Sequence, residues 1–312
     1  MMKYMKKLLL IDANSLIHRA FHALPPMTTP DGRASQAIYG VARILMKLWR
    51  EEKPEYAVAL FDTPEPTFRD KIYKEYKATR PQAPDSLISQ LIEMPNLFHE
   101  FGIQTFGAPG FEADDLIATY AEKFKKEKDL EIVIFTGDLD SLQLVEDKKI
   151  LVRVPQKGIS ETTIYTPEAV KERYGLMPKD LPDYKALVGD TSDNVKGVPG
   201  VGPKTAAEML LKYKTLEKLF ASLDREPKYA AKLGAYKKQA FLAKELVTLR
   251  RDAPIGVNNL AGLATSDDPA SLKKYFETLG FSSLVKQVEN PQKEKKEKTE
   301  SEKTGPVQGK IF

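Results

Sequence analysis

Short unbroken apolar runs alternate along this chain with stretches in which apolar residues return every three or four positions. Leu8-Leu9-Leu10-Ile11, Tyr56-Ala57-Val58-Ala59-Leu60-Phe61 and Glu131-Ile132-Val133-Ile134-Phe135 are runs of the first kind, the pattern of strands covered on both faces. Ile103 to Phe106 is a fourth candidate. The second kind is helical. Leu16, Ile17, Ala20 and Phe21 share one face, as do Ile38, Val41, Leu45 and Leu48, and then Leu116, Ile117 and Tyr120. Strands alternating with helices predict an α/β fold with a mostly parallel central sheet flanked by helices.

Further along, Ile150 to Val154 and Thr163 to Tyr165 read as a strand pair around a Lys157-Gly158 turn. Thr166 and Pro167 suit the N-cap and first position of a helix. Asp183 to Val188 and Thr205 to Tyr213 are helical stretches. Residues 214–288 stay mostly helical and complete the fold rather than carry chemistry. From Glu289 onward apolar residues nearly vanish among charges of both signs, which predicts a disordered tail over 289–312.

Composition narrows the chemistry. The 48 Lys and Arg against 44 Asp and Glu leave a net charge of +4, so only the distribution of charge can mark a nucleic-acid binder. The absence of cysteine excludes disulfides and thiolate metal sites and is compatible with the cytosol. His18, His22 and His99 are the only histidines, too few for a His/Cys zinc site. A hard cation held by carboxylates, Mg²⁺ or Mn²⁺, is what this inventory can hold. The run Leu8 to Ile11 is too short for a signal-peptide core or a membrane span, and nothing later reaches that length.

Acids stand where the strands end. Asp12, Asp62, Asp138 and Asp140 follow three of the runs, and the FEADD stretch with Glu112, Asp114 and Asp115 follows the fourth. One aspartate after a strand is commonplace as a helix cap. Four strands delivering acids to one edge leave that edge unstable without cations, and ligands of such sheets sit beyond the carboxyl ends. GDTSDN adds Asp190 and Asp193.

Two stretches suit a polyanion. Arg69, Tyr73, Tyr76 or Lys77, and Arg80 follow helical spacing, with Lys71 and Lys74 between them. A basic face with aromatic residues can hold phosphates and stack bases; the alternative is a solvated amphipathic helix with its tyrosines on the core. Pro81 and Pro84 end this helix, and another begins near Asp85. Downstream, Gly197, Gly200 and Gly202 punctuate a turn that opens a helix at Pro203, followed by Lys204 and Thr205. Exposed amides at such an N-terminus can hold a backbone phosphate; the alternative is a plain helical hairpin. A P-loop fails, because Pro203 stands where lysine should follow Gly202.

These motifs, LLLIDANSLIHRAFHAL, ALFD, FRDKIYKEYKATRP, FEADDLIAT, TGDLDSLQLV and LVGDTSDNVKGVPGVGPKTAAEML, resemble those of the 5′ nuclease (flap endonuclease) family. Within it the chain is most similar to the bacterial 5′–3′ exonuclease domain that occurs at the N-terminus of DNA polymerase I and in stand-alone homologues. The resemblance covers roughly Lys7 to Gln287. It implies a PIN-like, resolvase-like core over residues 1–180, with a helical arch at about 65–95. A helix–three-turn–helix DNA-binding region over 181–288 would follow. It implies two Mg²⁺ ions, or Mn²⁺, with Asp12, Asp62, Glu112 and Asp114 around the first. Asp115, Asp138, Asp140, Asp190 and Asp193 would surround the second, and K⁺ would sit at the glycine turn. Lys77 and Arg80 match the basic pair of the arch that acts on the scissile phosphate, and Arg19 matches a basic residue near the site. Leu139, where relatives often carry Lys or Arg, and Phe111, where they often carry Tyr, depart from the pattern.

The implied activity is structure-dependent 5′–3′ exonuclease and flap endonuclease hydrolysis of DNA, in Okazaki fragment processing and repair. The partners implied are nicked, flapped or 5′-ended DNA and RNA primers. A cytoplasmic monomer at the bacterial nucleoid is expected, free of membranes. A PIN-type ribonuclease and a non-catalytic structure-specific DNA-binding factor are the alternatives. The terminal QGKIF, with Gln308, Ile311 and Phe312, resembles the bacterial sliding-clamp pentapeptide.

Overall fold

The computed structural model of the chain describes residues 5–156, 161–226 and 228–290. The first half builds one sheet. Its elements are β1 (Lys6–Asp12), α1 (Ala13–Ala23), α2 (Gln36–Glu52), β2 (Tyr56–Phe61), α3 (Phe68–Ile72), α4 (Asp85–Glu100), β3 (Gln104–Gly107), α5 (Ala113–Phe124), β4 (Leu130–Phe135), β5 (Ile150–Pro155) and β6 (Thr162–Tyr165). The strand order is β3-β2-β1-β4-β5-β6. The first five strands are parallel and β6 is an antiparallel edge. The Lys157-Gly158 turn lies outside the described residues.

Alternation along β1 covers both faces of the sheet. Leu8 and Leu10 pack with Leu116, Ile117, Tyr120 and Phe124 of α5. Leu9 and Ile11 pack with Leu16 and Ile17 of α1 and with α2 and α4. Each fully buried Leu or Ile contributes about 1.5–3 kcal/mol, so both layers are held. The parallel arrangement brings the carboxyl ends of β1, β2, β3 and β4 to one edge.

The second half is helical: α6 (Pro167–Tyr174), α7 (Leu181–Val188), the two-residue strands β7 (Gly189–Asp190) and β8 (Val195–Lys196), α8 (Pro203–Tyr213), α9 (Leu216–Phe220), α10 (Ala230–Ala235), α11 (Lys237–Val247), α12 (Pro269–Thr278) and α13 (Ser282–Glu289). Thr166 caps α6, accepting a hydrogen bond from the Ala169 amide. Residues of α7 to α11 share a third core around Leu187, Met209, Leu219 and Leu246. After α11 the chain returns to the sheet. Leu249, Ala253 and Leu263 join the first layer, and Phe276, Leu279, Phe281 and Leu284 join the second. Within 181–288, expected as a helical region packed on the core, α7 to α11 thus have a core of their own and the later residues join the sheet layers. Glu289 ends α13 and pairs with Lys273, so the expected tail begins no earlier than Asn290.

One expectation fails. The stretch from Arg69 to Arg80 is not a helix with one basic face. A capping box between Thr67 and Asp70 starts α3, which stops after Ile72. Turns follow, and Lys77 takes a left-handed φ of 52°. The cause is tertiary: past α3 the backbone bonds the β7–β8 turn instead of its own helix, with Lys77 N donating to Asp193 O at 3.0 Å and Glu75 O accepting from Asn194 Nδ2 at 2.7 Å. Within the arch expected at about 65–95, Leu87, Met94, Leu97 and Phe98 bury α4 in the second layer. No helix among the described residues is long and apolar enough to cross a membrane.

Candidate active site

A cavity of about 640 Å³ opens at the carboxyl edge of the sheet, lined by Asp12, Asp62, Glu112, Asp114, Asp138 and Asp190. Asp12 closes β1 and caps α1, accepting from the Ser15 amide at 2.9 Å and from the Thr136 hydroxyl at 2.6 Å. Asp62 follows β2 and accepts from the Ala113 amide at 2.7 Å, which ties it to the start of α5. Glu112 caps α5 and Asp114 lies in its first turn, where the helix dipole favours negative charge. Asp138 follows β4 and accepts from the Asp140 amide at 2.8 Å. Asp190 comes from β7, beneath the helical region.

The acids are crowded and poorly solvated. Burial pushes Asp12 up to about 7; the Thr136 and Ser15 hydrogen bonds oppose this, while Asp62 and Asp138 add to it. Asp114 is raised well above the usual carboxylate range by burial and then by Asp138, Asp12 and Glu112. Burial also raises Asp138, against the pull of Lys185. Burial is the largest cause of each shift, and crowding of like charges adds to it.

Cations face the acids from the opposite wall. Lys77 Nζ lies 2.6 Å from Glu112 Oε1, and Arg80 Nη2 lies 2.6 Å from Asp193 Oδ1. Burial draws the Lys77 pKa down, but Glu112 and Asp193 outweigh it and leave it raised. Lys185 Nζ contacts Asp140 Oδ1 and lies 2.6 Å from Asp190 Oδ2. Burial alone would raise Asp190, yet Lys185 and Ser192 hold it below its ordinary value. The Tyr76 hydroxyl bridges the two halves, 3.1 Å from Glu112 Oε2 and 2.9 Å from Asp193 Oδ2, which share its single proton. Among the described residues no three His, Asp or Glu side chains close on one point as a ready cage; Tyr76, Lys77 and Lys185 stand between the carboxylates. The donor set is nevertheless all oxygen, the chemistry of hard divalent cations.

The structure brings together Asp12, Asp62, Glu112, Asp114, Asp138, Asp190, Lys77 and Arg80 on one cavity, with Asp140 and Asp193 adjoining through their cations. It does not bring Asp115 there. Asp115 is fully buried. Its two oxygens accept from Arg69 Nη1 and Nη2 at 2.6 and 2.9 Å and from the amides of Glu112 and Arg250. With four hydrogen bonds made, it has no lone pair for a metal ion. Arg69 is 1 % exposed and spent on this pair, so it cannot meet DNA. Tyr76 is 6 % exposed and bound to acids, not presented as a stacking platform. Tyr73 bonds Glu75, Lys74 is exposed, and Arg19 is not in the cavity wall.

Lys185 went unrecognised in the sequence. The available signal was a lysine five residues before Asp190, followed by Ala186-Leu187-Val188. Asn14, Ser15 and His18 also line the cavity, and Ser141 donates to Asp114 at 3.2 Å.

The glycine turn forms a second wall of contacts, which meets the acidic cavity at Asp190. Gly197 packs against the backbone of Val188 and Gly189 so closely that a Cβ would lie 2.3 Å from the Val188 carbonyl carbon. Gly200 has φ of 77°, a conformation glycine adopts without steric cost. Together with Asp190, Asn194 and Val201, Gly197 and Gly200 line a cavity of about 350 Å³. Gly202 caps α8, and Lys204 and Thr205 lie in its first turn. Gln308, Ile311 and Phe312 lie outside the described residues.

Residues 7–175 match the family of the 5′–3′ exonuclease N-terminal resolvase-like domain, and residues 176–268 match the 5′–3′ exonuclease C-terminal SAM fold. A 5′–3′ exonuclease of Aquifex aeolicus is 39% identical over 285 residues, which cover 91% of this chain and 96% of that protein. DNA polymerase I of Bacillus subtilis is 41% identical over 286 residues, 91% of this chain but 32% of the polymerase. The chain thus spans about a third of the length of the DNA polymerase I relatives it matches. In fold it is similar to the bacteriophage T5 flap endonuclease crystallised with DNA and metal ions. The TM-score is 0.63 and the identity 19%, covering 91% of this chain and 97% of that one. The catalytic core of Rad2 in complex with DNA substrate aligns with a TM-score of 0.63 at 17% identity, covering 92% and 93%.

Proposed function

The chain belongs to the 5′–3′ exonuclease family, and from that premise we propose that it hydrolyses DNA phosphodiester bonds at this cavity as a structure-dependent 5′–3′ exonuclease and flap endonuclease. One observation carries the reading: acids from four strand ends and from the β7–β8 turn face Lys77, Arg80 and Lys185 across a single cavity. An acidic edge alone would repel a phosphodiester, and a basic wall alone would bind one without cleaving it. The two together suit phosphoryl transfer, in which charge builds on the phosphate oxygens.

Asp12, Asp62, Glu112 and Asp114 would hold one divalent cation, and Asp138, Asp140, Asp190 and Asp193 a second, Mg²⁺ or Mn²⁺. Bound there, such ions supply an activated water and neutralise charge on the departing oxygen. Lys77 and Arg80 leave Glu112 and Asp193 to meet the scissile phosphate. Lys185 does the same from the helical side. Asn14 and Thr136 orient Asp62 and Asp12, to which they are hydrogen-bonded. Amides at Gly200, Gly202 and the start of α8 grip the duplex backbone, with K⁺ in the adjoining cavity.

Substrates in this reading are nicked, 5′-ended and flapped DNA, with RNA primers included, during Okazaki fragment processing and repair. The protein acts as a monomer, and QGKIF tethers it to a sliding clamp. Product mapping on a 5′-flap duplex during a Mg²⁺ titration tests the activity. Mg²⁺-dependent release of products bearing 5′ phosphates is expected; no cleavage at any Mg²⁺ concentration overturns it. Calorimetry with the clamp, before and after deletion of 308–312, tests the tether, and unchanged binding rejects it.

A further inference from the structure

We infer that Arg69 is a positioning residue for Lys77, rooting the segment that carries it to both halves of the molecule. The inference rests on the reading that Lys77 meets the scissile phosphate. One guanidinium makes the main side-chain connections at this root, with Nη1 also 3.4 Å from Glu112 Oε2, while Phe68 N donates to Gly110 O at 3.2 Å. Nη1 and Nη2 grip the two oxygens of Asp115 in the first turn of α5, Nε donates to Leu246 O at 2.7 Å, and Nη2 reaches Thr248 O at 3.4 Å. Its face lies 4.5 Å from the Phe68 ring centroid. Arg69 therefore ties α3 to the helix bearing Glu112 and Asp114, and both to the end of α11. Neither Arg69 nor Asp115 lines the cavity.

Eight residues on, Lys77 holds a left-handed φ of 52°. A non-glycine residue keeps such a conformation only where its surroundings over-determine it. Downstream, Arg80 N donates to Lys77 O, and Lys77 N donates across to Asp193 O in the β7–β8 turn, both at 3.0 Å. The side-chain hydrogen bonds of Tyr76, Lys77 and Arg80 end on Glu112 and Asp193, and those of Lys77 and Arg80 are the ones exchanged when a phosphate enters. Arg69 persists alongside Asn194 Nδ2, which donates to Glu75 O at 2.7 Å, and Arg69 is the one that fixes the segment to α5 and α11. Together they set where Lys77 stands once released from Glu112.

Arg69→Lys keeps the charge but cannot span two carboxylate oxygens and a carbonyl at once. A displacement of Lys77 by an ångström is enough to slow the chemistry. The experiment is a double-mutant cycle on single-turnover cleavage of a 5′-flap DNA in Mg²⁺, with affinity read by anisotropy in chelator. We expect Arg69→Lys to slow cleavage about tenfold, with affinity within about threefold of wild type. In a Lys77→Ala background the same change should cost under about twofold. An equal loss in both backgrounds, or no loss in the wild-type background while Lys77→Ala is slow, overturns the inference alone. An unchanged rate in Lys77→Ala overturns the Lys77 reading beneath it as well. Should Arg69→Lys fail to fold by circular dichroism, Asp115→Asn, which keeps the shape and loses the charge, carries the same cycle.

Discussion

Asp114 and Asp115 are neighbours in the first turn of α5 and lead opposite lives. Asp115 sits in the dry root beneath the cavity with four hydrogen bonds and the full fork of Arg69. Asp114 sits in the cavity with one hydrogen bond, from Ser141, and negative neighbours on several sides. One carboxylate is finished by the fold; the other is left for something the fold does not supply. A helix turns about 100° per residue, so a step of one position carries a side chain from one environment into the other. Proximity to a functional motif therefore does not make an acid functional. Saturation of its lone pairs is the better discriminator.

The contrast can be broken at either member. Asp114→Asn should reduce Mg²⁺-dependent cleavage of flap DNA to background and leave a folded protein that still binds DNA. Normal turnover would remove Asp114 from the machinery. Asp115→Ala should instead cost stability, about 3–5 kcal/mol, because it strands a buried guanidinium. A denaturant melt within 1 kcal/mol of wild type, on the scale of about 1.4 kcal/mol per tenfold, would show that the root is dispensable. Lys77→Ala or Arg80→Ala should slow single-turnover cleavage about a hundredfold while DNA affinity in chelator changes much less. Equal losses in both would reassign these residues to binding.

The smallest effect concerns pH. Burial raises Asp12 to about 7, against about 3.8 for an exposed aspartate. Between these values the folded state binds more protons than the unfolded one, so stability falls as pH rises through this window. In chelator the melting temperature should decline from pH 4 toward pH 7 through this group, and Mg²⁺ should flatten the decline. Asp12→Asn should flatten it too. A melt that rises with pH in chelator, with Asp12→Asn indistinguishable from wild type, contradicts the assignment.

Much of this was legible in the chain. Leu8 to Ile11, Tyr56 to Phe61 and Glu131 to Phe135 announced their strands, because a two-faced strand needs an apolar residue at every position. Asp12, Asp62 and Asp138 followed them at once, so their shared edge required only that the strands be parallel. Arg69, Tyr76 and Asp115 misled. A basic and aromatic spacing cannot tell a solvent-facing helix from a turn whose cation and hydroxyl are claimed by acids elsewhere in the chain. Asp115 reads like Asp114 until Arg69, 46 residues earlier, is seen to hold it.

The sequence by itself determined the strand–helix alternation, the carboxyl-edge acids, the glycine turn and the family. It could do so because these depend on local periodicity and on residues a few positions apart. Only the tertiary structure decided which acids remain available, that Lys185 stands between Asp140 and Asp190, and that the segment after α3 is a tethered turn. Those outcomes depend on desolvation and on partners far apart in the chain. Whether a carboxylate is left wanting a cation depends on everything folded around it.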